Sequence, residues 1–211
     1  WLRQLQARAT LARERDKKLS RIVGSITGVA RLKYPLCVMR LPELRKQGRL
    51  VTHEQARDAN LLSFCDDWEA AVAFASRKSI VFVSHQWLSR SEPDPENAHY
   101  PSIIAAADAL CAEHAINPDD MHIWLDFHSI PQRNESIKWS AIESIAPYAA
   151  RSHFFLACAP LSTHQSTGER CDANSYLARG WCRLEQWAFF AINGSRNMYV
   201  FDERGLTKMG A

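Results

Sequence analysis

The feature that most limits how this chain can fold is an alternation that begins at residue 79. Four short runs rich in β-branched and aromatic residues, at 79–84, 121–126, 153–158 and 197–201, are separated by stretches with helical patterning. Continuously apolar runs of this length read as strands buried on both faces, and strands alternating with helices build a parallel sheet covered on either side. The expected fold is therefore α/β, a three-layer sandwich around a mainly parallel sheet.

The intervening stretches fit that scheme. Pro101 opens a helix reaching about residue 115, with Ile103, Ile104, Ala107, Leu110 and Cys111 on one face, and Asn117 and Pro118 stop it. A second helix is expected over 136–150, broken near Pro147. The polar stretch 160–179 is a loop of the length that usually carries function or motion.

Before residue 79 the patterning is helical. Leu19, Ile22, Val23, Ile26 and Ala30 share a face within 1–33, weakened by Gly24 and Gly28. Thr52 and Gln55 form a capping box that starts a helix to about Phe64, and Asp67 caps another over 68–77. Residues 34–50, with two prolines, read as a loop or a short strand. These signals divide the chain into an N-terminal helical extension, 1–78, and an α/β domain, 79–211.

Composition excludes several classes. A chain of 211 residues, 46% hydrophobic and 23% charged, has the material for one full core and does not resemble disordered or collagenous sequence. No apolar run approaches the ~18 to 20 residues of a membrane span. Six cysteines without a Cys-x-x-Cys pair, several in core-like contexts, favour reduced thiols and a cytoplasmic location over disulfides or zinc. Residues 1–33 hold nine Lys or Arg against Glu14 and Asp16. Without interleaved aromatics, that segment reads as a solvated helix on its own domain, and nucleic acid is not an expected partner.

In an open parallel sheet, ligands bind beyond the carboxyl ends of the strands, near the point where strand order reverses. That rule selects 84–87, 126–132 and 181–185. Arg179, Gly180, Trp181, Cys182, Arg183, Leu184 and Glu185, followed by an apolar run closed by Asn193 and Gly194, read as the start of a buried helix. Glu185 there has two readings. It caps the first turn, where the macrodipole favours a negative charge, or it works as a carboxylate whose pKa is raised by packing against Trp181 and Trp187. Asp126 and His85 are likewise a polar contact for a ligand or structural residues at strand ends. Eight histidines without paired spacing propose no metal site, and no phosphate-binding loop or Gly-x-Ser-x-Gly elbow is present.

Three blocks together resemble a known family. Val81, Phe82, Val83, Ser84, His85, Gln86 and Trp87 resemble the first strand of Toll/interleukin-1 receptor (TIR) domains, and the Ser-x-x-Trp within them resembles the opening motif of fungal heterokaryon-incompatibility (HET) domains. Trp124, Asp126, Ile130 and Gln132 match the Trp-x-Asp-x-x-Cys-Ile-x-Gln motif of the latter, with Ser129 in the Cys position. Residues 179–185 are similar to the Trp-Cys-x-x-Glu of TIR domains and to the Arg-Gly-Trp-x-x-x-Glu of HET domains. Where TIR domains often carry an Arg-Gly element, Ile130 to Asn134 stand instead.

The resemblance implies a flavodoxin-like sheet, a role in immune or cell-death signalling, and cleavage of the nicotinamide–ribose bond of NAD+. Glu185 would be the essential carboxylate. Trp181 and Trp87 would wall the pocket, and Ser84, His85 and Asp126 would make polar contacts. NAD+ would be a substrate, with no cofactor, and the chain would form homo-oligomers through the TIR-like domain. Two other functions fit the same residues: a non-catalytic signalling adaptor that self-associates, and a nucleoside or nucleotide hydrolase using the same acid.

Overall fold

The computed structural model describes residues 31–210. The helix expected over 1–33 falls almost wholly outside them. The chain first forms β1 (Leu36–Arg40), α1 (Leu41–Gln47), α2 (His53–Asp58), β2 (Leu62–Cys65) and α3 (Trp68–Ala75). Next come β3 (Ser79–His85), α4 (His99–His114), β4 (Met121–Leu125), α5 (Asp126–Ser129), α6 (Glu135–Ile142), α7 (Ile145–Arg151) and β5 (Phe154–Cys158). It closes with β6 (Ser162–Thr163), β7 (Arg170–Cys171), α8 (Ala173–Ala178), α9 (Gly180–Asn193), β8 (Met198–Asp202) and β9 (Gly205–Lys208).

Seven strands form one sheet in the order β2-β1-β4-β3-β5-β8-β9, while β6 and β7 make a separate hairpin. The four central strands, β4, β3, β5 and β8, are parallel. The outer strands β1, β2 and β9 join antiparallel. Alternation along each strand divides the apolar side chains between two cores. Val81, Val83, Ile123, Leu125 and Leu156 face α4 and α1, whereas Ile80, Phe82, Trp124 and Phe155 face α3, α7, α8 and α9. This is an α/β fold with helices packed on both faces of a mostly parallel central sheet, the arrangement a three-layer sandwich requires. Phe82 sits at the centre of the second core, stacked on Trp124 with ring centroids 4.0 Å apart.

The expected boundary at residue 79 does not bound the sheet. Residues 34–50 supply β1, whose Leu36, Cys37, Val38 and Met39 are fully buried, and β1 pairs with β4 through Met39 and Arg40. The two prolines flank the strand rather than interrupt it, with Pro42 in the first turn of α1. The capping box at Thr52 forms in both directions, but its helix ends at Asp58 rather than near Phe64. Asn60 takes a left-handed backbone, φ 54°, and turns the chain into β2. Asp67 caps α3 through the Ala70 N–H. The helix over 136–150 breaks at Glu143 and Ser144, and Pro147 sits in the first turn of α7. Among the described residues, no helix is long and apolar enough to cross a membrane. All six cysteines are buried and unpaired.

Candidate functional site

Three elements bring their ends to one edge of the sheet. The register Val83 to Leu125 and Ser84 to Ala157 places the last residues of β3 just beyond the end of β4, level with β5. The chain crosses from β3 to β4 on one side, then to β5 on the other, so strand order reverses here. Successive strand residues point to opposite faces, so Ser84 reaches toward α8 and α9 while His85 reaches toward α4.

On the first side, the Ser84 hydroxyl donates to Glu185 Oε2 at 2.5 Å and accepts from the Tyr176 hydroxyl at 2.7 Å. Glu185 is 8% exposed and sits in the second turn of α9, with no acid in the first. It is therefore not a cap. Burial pushes its carboxyl up to about 8; the Ser84 hydrogen bond works against that rise and the nearby Asp126 charge adds to it. The expected cause differs, because Trp181 and Trp187 are 56% and 66% exposed. Glu185 is desolvated by pointing inward at β3, not by a tryptophan cover.

On the other side, Asp126 opens α5. Its Oδ1 meets His85 Nε2 at 3.1 Å and its Oδ2 accepts from Trp87 Nε1 at 2.6 Å. Burial raises this carboxyl, but the His85 hydrogen bond and charge, with the Trp87 N–H, outweigh it and hold Asp126 below the usual carboxylate range. Two neighbouring acids are thus driven apart, one keeping its proton near neutrality and one ionised. Divergence of this kind marks acid and base positions in catalytic sites.

Both acids line a cavity of about 550 Å³, within the range of small-molecule sites. His85, Trp87 and Trp181 line it as well. Ser84 does not; it stands behind Glu185. The cavity carries charges of both signs. Its carboxylates are Asp126 and Glu185, and Arg90, Lys138 and Arg179 supply positive charge to the lining. Arg179 is fixed there by a hydrogen bond from its guanidinium to the Trp87 carbonyl at 3.1 Å.

Several supporting residues escape sequence reasoning. Tyr176 lies on α8, inside the stretch that reads as a long loop. Glu54, 6% exposed on α2, accepts the Gln132 and Arg133 backbone N–H groups at 2.9 Å each and so shapes the segment after α5. The only signal for Tyr176 is an aromatic amid polar residues, and Glu54 carries none. α9 itself departs from the expected buried helix. Cys182, Glu185 and Phe189 face inward, while Trp181, Leu184, Trp187 and Phe190 are exposed.

Among the described residues, no group of three or more His, Cys, Asp or Glu could hold a metal ion. Compared with protein-family models, curated proteins and solved structures, the chain matches none.

Proposed function

We propose that this chain is a TIR-like NAD+ glycohydrolase that cleaves the nicotinamide–ribose bond. The observation that carries the proposal is the cavity lining: a buried acid of raised pKa, an ionised Asp126, two arginines and a lysine, and two indoles share one wall. NAD+ carries groups of matching chemistry, a cationic nicotinamide ring for the acids and indoles and a pyrophosphate for the arginines and lysine. Trp181 and Trp87 offer the flat apolar surfaces that a ring requires. The β4-β3-β5-β8 order of the parallel strands, second-first-third-fourth along the chain, is that of flavodoxin-like sheets, and it supports the family reading.

Breaking the bond releases neutral nicotinamide and leaves an oxocarbenium-like ribosyl centre. A fixed negative charge facing that centre lowers the barrier because it favours the transition state over the ground state. Asp126 supplies such a charge, with both oxygens held by His85 and Trp87. Glu185 is the essential carboxylate. Arrival of the cationic ring favours its ionised form, which accepts from the ribose hydroxyls and faces C1′ as positive charge develops. Water then takes C1′ to give ADP-ribose and a proton; attack by a group within the same molecule gives a cyclised product. Six buried thiols suit the cytoplasm as its location.

A second reading is a non-catalytic module that assembles with copies of itself. One observation favours it, the exposed apolar face of α9. Incubation with NAD+ and measurement of released nicotinamide separates the two. The enzyme reading expects release by the wild-type chain and a loss of at least about a hundredfold in Glu185→Ala. No release by wild type, even when concentrated, supports the adaptor, and equal release by Glu185→Ala removes Glu185 from the chemistry.

A further inference from the structure

Behind the Asp126–His85 pair a chain of hydrogen bonds continues into residues that the proposed chemistry does not use. His85 meets Asp126 through Nε2, and its Nδ1 lies 3.2 Å from His99 Nδ1. His99, at 0% exposure, meets the Ser162 hydroxyl through Nε2 at 3.3 Å. Ser162 belongs to the β6–β7 hairpin, is partly exposed, and also reaches the Pro160 carbonyl at 2.9 Å. His99 is held at the start of α4 by Asp94, whose carboxylate accepts the 98–100 backbone N–H groups.

We infer that Ser162 and His99 form a proton relay from the hairpin surface to His85, the hydrogen-bond partner of Asp126 on the cavity wall. Proton positions follow from the pairing rules. An ionised Asp126 only accepts, so His85 Nε2 carries a proton. Two facing ring nitrogens need one proton between them, which leaves two arrangements. In the empty state His99 Nδ1–H donates to His85 Nδ1, and Ser162 donates to His99 Nε2. In the loaded state His85 is an imidazolium donating to His99 Nδ1, His99 Nε2–H donates to Ser162, and Ser162 donates to Pro160.

One proton converts the first state into the second. It arrives from solvent at Ser162 Oγ, Ser162 passes its own proton to His99 Nε2, and His99 releases its Nδ1 proton to His85. Charge increases by one at His85, and no side chain needs to move. Burial, then the His85 charge, holds His99 down to about 3, so it passes a proton without keeping one. The titratable groups around the pair are Asp126, Glu185, Asp94, His128, Cys158 and Cys182. Loading neutralises the Asp126–His85 pair and weakens its attraction for a cation in the cavity. That last consequence rests on the NAD+ reading; the relay does not.

The test is a ring-nitrogen NMR titration of the full chain with 15N-labelled histidine, without substrate, from about pH 5 to about pH 9. The relay expects His99 to change from the Nδ1–H to the Nε2–H tautomer at the same midpoint at which His85 becomes an imidazolium. Ser162→Ala removes the hydroxyl partner of His99 Nε2 in both states. Because an orphaned buried N–H costs more than an unfilled ring-nitrogen acceptor, the loaded state loses more and the midpoint should fall by about one pH unit. A His99 that keeps one tautomer throughout, or an unchanged midpoint in Ser162→Ala, overturns the relay. Because no NAD+ is present, loss of the cleavage reading leaves this result intact.

Discussion

Glu185 is buried with a hydroxyl, not a cation, as its hydrogen-bond partner, so ionising it costs stability. Between pH 4.5 and about 8 the folded chain keeps a proton on Glu185 that the unfolded chain has released. Stability therefore falls as pH rises through that window, by about 1.4 kcal/mol per unit at most. Gln at this position still accepts from Ser84 and never ionises. Glu185→Gln should unfold at the wild-type temperature near about pH 4.5 and at a clearly higher one near about pH 9. Equal midpoints at both pH values would mean that Glu185 titrates as an ordinary carboxyl. His85, Asp126 and Trp87 were legible in the sequence because each ends a strand or lies just after one, whereas Glu185, in the second turn of α9, stood out only through the Trp-Cys-x-x-Glu pattern. Tyr176 and His99 were not. Tyr176 meets Ser84 across 92 residues, and such a contact leaves no local pattern.

At the scale of elements, the central strands were legible for a physical reason: buried on both faces, they are continuously apolar. β1 is equally buried, but its neighbouring prolines resemble a loop. β2 is partly exposed and continues the apolar residues of the preceding helix, so it reads as helix until Asn60 is seen to turn the chain. The missed elements matter to the site. α2 sends Glu54 to the segment after α5, where its carboxylate satisfies two backbone donors. Those hydrogen bonds and the burial work in opposite directions on its proton. Burial raises its pKa, and the N–H groups outweigh that and lower it. Glu54→Ala would leave both donors without this partner. It should cost about 1–3 kcal/mol in denaturant unfolding and loosen the cavity wall at Gln132. A loss under about 0.5 kcal/mol would show that water replaces the carboxylate freely.

Taken as a whole, the molecule places acids and cations on one cavity by joining the ends of β3, β4 and α9 with the segment before α9. Its sheet draws on residues from 36 onward, so the site is supported by sequence well before residue 79. In the proposed cleavage Glu185 is ionised at the moment of bond breaking, while the free protein holds it protonated. The most direct measurement is kcat/KM for nicotinamide release from NAD+ as a function of pH, because that ratio reports the groups of the free protein. The proposed cleavage should show a rise of about tenfold per unit up to about pH 8 and a plateau above it, with Glu185→Gln lacking the rise. A flat profile from about pH 6 to about pH 9, or a Glu185→Gln protein as active as wild type, would contradict it.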